Sequence, residues 1–143
     1  MRCRRPGRLR GTAPLRQVAL IVDAARKFLA VLIALRGLTN FAKPFRGAFV
    51  IFGRLMHGGI ATTVVAPLVG VAMLVYAYGL WHARPWARPL AVAYAIWATL
   101  NVILFPIFEG VPPQFAPWMY VVFAVPGIVG PWLAVWLLAQ RRN

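Results

Sequence analysis

Residues 77–90 read AYGLWHARPWARPL and lie between two long apolar runs. Tryptophan and arginine concentrate where a chain leaves a lipid bilayer, and proline interrupts helices. The stretch therefore predicts a tight turn at a membrane surface. Its interfacial anchors, which meet anionic headgroups, are predicted to be Trp81, Arg84, Trp86 and Arg88.

The composition of the 143-residue chain favours a membrane protein. Hydrophobic residues make up 62% of it and the mean hydropathy is +0.72, whereas soluble domains are about 45–50% apolar. Two acidic residues stand against 16 Lys and Arg, for a net charge of +14. Because the cations gather at the ends of apolar runs, and no basic face with stacking aromatics can be traced, we expect no nucleic-acid binding.

Three runs without a charged residue, at 60–81, 90–108 and 118–139, are long enough to span a bilayer. At about 1.5 Å per residue each covers about 28–33 Å, which matches a hydrocarbon core of about 30 Å. Lipid offers no hydrogen bonds to the backbone, so each run is predicted to be a helix.

A further span, the first along the chain, is predicted at about 18–40, although its uncharged part, FLAVLIAL, is too short to cross alone. Extension toward the N terminus brings in Asp23, which can pair with Arg26 and Lys27 at helical spacing. Extension the other way includes Arg36, which costs about 2.5–3.5 kcal/mol near the bilayer centre unless it faces protein.

Residues 43–57, KPFRGAFVIFGRLMH, connect this span to the next. Their four basic side chains fall within an arc of about 80° on a helical wheel, which predicts an amphipathic helix lying at the membrane surface. Gly47 and Gly53 weaken that helix by about 1 kcal/mol each. The alternative is a loop whose phenylalanines dip into the headgroups. The four basic residues are Lys43, Arg46, Arg54 and His57.

The sequence thus predicts an all-α, integral membrane four-helix bundle with an interfacial amphipathic helix between the first and second spans. Residues 1–14 are predicted to be a basic disordered tail, and residues 15–143 the four-span domain. Two arginines in 82–89 and no Lys or Arg in 109–117 favour four spans over three, because cytoplasmic loops carry the positive charge. Both termini are then cytoplasmic, in a prokaryotic cytoplasmic (inner) membrane.

Polar residues inside the third span suggest contacts between helices. Thr99 and Asn101 are expected to bond a neighbouring helix, with a solute-lining role as the alternative. Glu109 ends this span and is predicted to pair with Lys43, Arg46 or Arg36, with proton relay as the alternative. Candidate intramembrane polar or ion-pair residues are therefore Asp23, Arg26, Lys27, Arg36, Asn101 and Glu109.

Groups for catalysis or metal binding are sparse. His57 and His82 are separated by about 37 Å along a helix, so one chain cannot clamp a metal or haem with both. Asp23 and Glu109 are predicted on opposite sides of the membrane. We expect no catalytic residue, no metal or other cofactor, and no enzymatic activity.

Four features resemble a group of small predicted multi-pass prokaryotic membrane proteins of unknown function: GLWHARPWARPLAVAY, VALIVDAARKFLAVLIAL, FPIFEG and the terminal Arg-Arg. In that group the second span often ends in Gly-Leu-Trp followed by Trp-Ala. The resemblance covers about 18–142 and implies no activity.

The missing acid–base groups and the small-residue helix faces predict a structural or accessory subunit of a membrane complex, with lipid and a membrane protein or a second copy as partners. The alternative is a small transporter or channel that acts as a homo-oligomer, favoured by Asn101, Glu109 and the prolines of the last span.

Overall fold

The computed structural model describes residues 12–110 and 117–140, and this part of the chain is mostly helical. Its elements follow in chain order: α1 (Thr12–Phe41), α2 (Lys43–Arg46), β1 (Ala48–Ile51), β2 (Arg54–His57), a π-helical turn (Ala61–Val65) that continues into α3 (Ala66–Trp81), α4 (Ala87–Phe108) and α5 (Pro117–Ala139).

Three of these helices are long and apolar enough to cross a membrane, which indicates a membrane protein. The three uncharged runs predicted from the sequence are confirmed as helices, with ends shifted by a few residues. The segments that meet the length and hydropathy requirement are Ala61–Trp81, Ala87–Phe108 and Tyr120–Ala139.

Helix α1 contains the whole of the predicted first span, 18–40, and begins earlier. Because it starts at Thr12, residues 12–14 are helical and do not belong to a disordered tail; residues 1–11 lie outside the described part. The charged side chains of α1 keep its mean hydropathy low, so it is not one of the three apolar spans.

Helix α1 runs antiparallel to α3 and touches it along its length. Near one end Gly37 meets Gly70, and a Cβ on Gly70 would lie 2.9 Å from the Gly37 carbonyl oxygen. Toward the other end Arg26 reaches the Leu80 carbonyl. Glycines at the crossing let the two backbones approach closely, as small residues do between membrane helices.

The predicted surface helix over 43–57 is wrong beyond Arg46. The chain instead forms an antiparallel hairpin in which β1 pairs with β2, from Ala48 opposite His57 to Ile51 opposite Arg54. Gly47 adopts φ 75° and ends α2. The four basic residues therefore lie on two different elements, α2 and β2, and share no helical face.

The hairpin turn explains the failure of the helix. Phe52 and Gly53 occupy its two central positions with φ values of 46° and 79°, which is the pattern of a type I′ turn. Such backbone is incompatible with a helix, and the aromatic and β-branched residues of β1 suit a strand. At the open end the Gly58 N–H donates to the Gly47 carbonyl at 3.1 Å.

The helices form two antiparallel pairs, α1 with α3 and α4 with α5. The pairs meet in a buried core that includes Leu80, Ala87, Ala91 and Ala134, each with no exposed surface. This core lies toward the α3–α4 turn, which we call the turn end of the bundle. The opposite end, where α1 stops and the hairpin lies, is the hairpin end.

The α3–α4 turn satisfies the last carbonyls of α3 in a Schellman motif. The Arg84 N–H donates to the Gly79 carbonyl at 2.9 Å, and the Ala83 N–H donates to the Leu80 carbonyl at 3.1 Å. Ala83 takes the left-handed conformation, φ 50°, that glycine usually supplies in this motif. Trp86 then folds back over Gly79, where a Cβ would lie 2.6 Å from its ring.

Candidate functional site

A cavity of about 680 Å³ lies between the helix pairs on the hairpin side of the core. Helices α1, α4 and α5 supply most of its wall, β1 closes part of the hairpin end, and Met73 of α3 forms the floor on one side. Sites for small ligands occupy about 300–1,000 Å³. This cavity is therefore the candidate functional site.

The wall of the cavity is largely apolar but carries two cations, Arg36 and Lys43. Neither acidic residue of the chain, Asp23 or Glu109, lines it. Within residues 12–110 and 117–140 the side chains of Arg36 and Lys43 form no ion pair and no hydrogen bond. The cavity thus has positive charge with no carboxylate on its wall to balance it.

Asn101 on α4 positions the tip of the hairpin at the edge of the cavity. Its Oδ1 accepts a hydrogen bond from the Gly53 N–H at 3.0 Å, and its Nδ2 donates to the Trp97 carbonyl at 3.0 Å. Gly53 packs directly on α4, since a Cβ there would lie 2.5 Å from the Leu104 carbonyl carbon. Gly53 is buried, and a buried backbone N–H needs a hydrogen-bond partner.

Glu109 holds the second strand of the hairpin. Its Oε1 accepts the Leu55 N–H at 2.9 Å, which occupies an outward-facing group on the edge of β2. Beside it the Arg54 guanidinium lies 5.1 Å from the centre of the Phe108 ring. Asn101 and Glu109 therefore join α4 to the hairpin. The sequence prediction had a surface helix in place of this hairpin, so it did not include these contacts.

Among the described residues, Glu109 forms no ion pair with Lys43 or Arg36, the predicted partners whose side chains the structure describes. The side chain of Arg46 lies outside the described part. The correction follows from the fold: the connecting segment is a hairpin, so it presents a backbone N–H to Glu109, where a surface helix would have presented a cationic face.

The α4–α5 wall is fastened by two polar contacts. The Trp132 indole N–H donates to the Thr99 hydroxyl at 3.1 Å, so Thr99 does bond a neighbouring helix. The Tyr120 hydroxyl donates to the Val102 carbonyl. That carbonyl is four residues before Pro106, which has no N–H to give it, so Tyr120 supplies the donor that proline removes.

At the turn end, the predicted pairing of Asp23 with Arg26 and Lys27 is present. Asp23 contacts the Arg26 guanidinium, and its other oxygen is 2.8 Å from Lys27 Nζ. Arg26 is 4% exposed and also donates to the carbonyls of Leu80 and Trp81. A cation on the last carbonyls of a helix satisfies orphan acceptors and opposes the negative end of its dipole.

The four predicted interfacial anchors surround the same end. Lys27 Nζ lies 5.8 Å from the Trp81 ring centre, and Trp81, Arg84 and Trp86 are exposed while Arg88 is half-buried. Trp86 has a packing role as well, through its contact with Gly79. Their role as anchors in lipid stays a prediction.

Sequence reasoning missed three residues that shape the site: Gly53, Pro106 and Tyr120. The signal for the first was present, because Phe-Gly between AFVI and RLMH fits a two-residue hairpin turn. Pro106 inside an apolar run predicts an unpaired carbonyl at Val102. Nothing in the sequence indicates that Tyr120, which follows the 109–117 loop, would supply the missing donor.

Among the described residues, no group of three or more His, Cys, Asp and Glu side chains could hold a metal ion. No protein-family profile, curated protein or solved structure matches the chain. The resemblance to small prokaryotic membrane proteins therefore stays a prediction.

Proposed function

We propose that the chain is a four-span protein of a prokaryotic cytoplasmic membrane, with both termini inside, that serves without catalytic chemistry as an accessory subunit of a membrane complex. The span that adds to the three apolar ones is α1, the first helix along the chain. Its contacts with α3, from Gly37–Gly70 to Arg26–Leu80, extend over about 15 Å of helix. Since the helix that includes α3 is apolar enough to cross a membrane, α1, which contacts α3 at both of these places, lies at the same depth in lipid.

The orientation rests on the positive charge of the α3–α4 turn, where Arg84 and Arg88 follow an uncharged span. Single cysteines at Arg84 and at the exposed Phe52, each in a Cys3→Ser background, test it with a membrane-impermeant thiol reagent on intact cells. We expect labelling at Phe52 and none at Arg84 until the cells are opened. The reverse result would overturn the orientation.

One observation carries the accessory role: both carboxylates of the chain are engaged in holding elements together. Asp23 binds Arg26 and Lys27 at the turn end, and Glu109 binds the Leu55 N–H at the hairpin end. Neither lines the cavity. The described cavity wall supplies no carboxylate and no imidazole, the groups that serve most often as general acids and bases.

Purification from native membranes in a mild uncharged detergent, with native mass spectrometry, tests the subunit role. A second polypeptide in fixed stoichiometry, retained through two columns and crosslinked to the exposed faces of α4 or α5, supports it. A monodisperse single-component protein would overturn it.

A second candidate is a small transporter or channel that works as a homo-oligomer, and the cavity favours it. Its cationic wall and the prolines of α5, Pro126 and Pro131, resemble features of sites built from interrupted helices. Symmetric oligomers in native mass spectrometry, together with solute uptake into proteoliposomes, would support this candidate over the first.

A further inference from the structure

We propose that the cavity between the helix pairs binds one single-chain amphiphile with an anionic headgroup, such as a lysophospholipid, with the headgroup between Arg36 and Lys43 and the acyl chain in the apolar part of the cavity. This inference goes beyond the accessory role, and it rests on the proposed placement of α1 in the membrane.

The charge on the cavity wall favours an anionic ligand. Arg36 and Lys43 are on the wall, no carboxylate shares that wall, and neither side chain has an ion-pair partner among the described residues. A cation inside a membrane span is costly unless it is paired, by about 2.5–3.5 kcal/mol on insertion scales. An anion brought by the ligand would provide that pairing.

The positions of Arg36 and Lys43 determine how the ligand would be oriented. Arg36 is next to the Gly37–Gly70 contact and lies about 15 Å along α1 from Arg26, which marks the turn end. Lys43 follows the end of α1, in the first turn of α2 at the hairpin end. Arg36 therefore lies closer to the turn end than Lys43, and an anionic head held between them would direct its tail toward the turn end.

Apolar side chains line most of the rest of the cavity. The apolar lining includes Leu29, Leu32, Ile33, Gly130 and Pro131. The volume of about 680 Å³ suits one chain-bearing molecule. A soluble anion would leave this surface without a partner, whereas an acyl chain would cover it with van der Waals contacts.

A ligand dissolved in lipid could reach the cavity from the side of the bundle. Leu32 and Arg36 on α1 and Pro126 on α5 line the cavity and are also exposed. The cavity thus opens sideways between α1 and α5, where a lipid-dissolved molecule can enter without crossing the water phase. The hairpin, fixed by Asn101 and Glu109, partly covers the path from the hairpin end.

Equilibrium binding of radiolabelled 1-palmitoyl-lysophosphatidylglycerol to the full chain in dodecyl maltoside tests the proposal. We expect saturation at one molecule per chain, and at least tenfold weaker binding of uncharged monopalmitoylglycerol. Glycerol 3-phosphate is the arm for a soluble phosphate anion without an acyl chain, and we expect no competition from it. Competition by glycerol 3-phosphate at micromolar concentration would overturn the acyl-chain part, and non-saturating uptake would overturn the site.

Two variants locate the binding. Arg36→Gln is expected to weaken binding at least tenfold, whereas Arg16→Gln, an exposed cation on the same helix that does not line the cavity, is expected to leave it unchanged. Gly130→Leu places a larger side chain at the cavity wall, where a Cβ meets nothing within 4 Å, and is expected to abolish binding. Unchanged binding in both Arg36→Gln and Gly130→Leu would overturn the proposal.

Discussion

The amide oxygen of Asn101 accepts a hydrogen bond from the backbone N–H of Gly53 at 3.0 Å. This bond joins α4 to the tip of the hairpin. It satisfies the backbone N–H of the buried Gly53, and it fixes the hairpin beside the cavity.

Asn101→Leu keeps the side-chain volume and removes the acceptor. We expect the free energy of unfolding to fall by about 1–3 kcal/mol, the cost of an unsatisfied buried donor, and the hairpin to become the first site of proteolysis. Thermal unfolding in dodecyl maltoside and limited proteolysis measure the two effects. An unchanged protease pattern would show that the bond does not hold the hairpin.

Gly53→Ala is expected to destabilise the hairpin more than Gly58→Ala, although both residues have positive φ, 79° and 71°. At Gly58 a Cβ meets nothing within 4 Å, so only the backbone cost of about 1–2 kcal/mol applies. At Gly53 it also collides with Leu104. Equal melting temperatures for the two variants would contradict the close packing of the tip on α4.

Glu109→Gln and Glu109→Ala separate the hydrogen bond from the charge. Glutamine retains an oxygen that can accept the Leu55 N–H, so we expect most of the stability to remain, with a loss of about 1 kcal/mol only in the alanine variant. The measurement is again thermal unfolding in detergent. Equal loss in both variants would indicate that the negative charge is what matters, as in the ion pair predicted from the sequence.

Tyr120→Phe removes the donor to the Val102 carbonyl and is expected to cost about 1 kcal/mol. In a Pro106→Ala background the helix regains its own N–H donor, so the same substitution is expected to cost less. Thermal unfolding of the four proteins of this double-mutant cycle measures the coupling. Tyr78→Phe, at an exposed tyrosine, is the control, and additive effects in the cycle would reject the compensation.

Arg26→Gln is expected to destabilise the protein by about 3 kcal/mol, because a buried charged group with several partners is lost. Lys27→Gln, with a side chain 44% exposed, is expected to have little effect. The free energy of unfolding measures both. Similar losses in the two variants would show that the carbonyls of α3 do not depend on Arg26.

Ala83→Gly is expected to stabilise the protein by about 0.5–1 kcal/mol, since glycine relieves the left-handed conformation while adding freedom to the unfolded chain. The control is Ala93→Gly, at an exposed position within α4, which is expected to cost about 1 kcal/mol. A fall in melting temperature for Ala83→Gly would contradict the Schellman end of α3.

The sequence by itself determined the three apolar helices and the turn between α3 and α4, because both depend on local properties. An uncharged run of sufficient length has one stable backbone in lipid, and prolines with arginines mark where it stops. The pairing of Asp23 with Arg26 and Lys27 was also predictable, since i,i+3 and i,i+4 spacing brings side chains together on any helix.

Only the tertiary structure decided how the chain between the first two spans folds and what the polar residues of α4 hold. On a helical wheel 43–57 is amphipathic, but the turn at Phe52 and Gly53 and the pairing of β1 with β2 form a hairpin. The distant residues Asn101 and Glu109 hold that hairpin against α4. The cavity likewise depends on how far the α1–α3 and α4–α5 pairs separate, which is set by the core where the pairs meet, around Leu80, Ala87 and Ala134. Contacts between residues far apart in sequence leave no periodic pattern, and so the site emerged only when the helices were placed together.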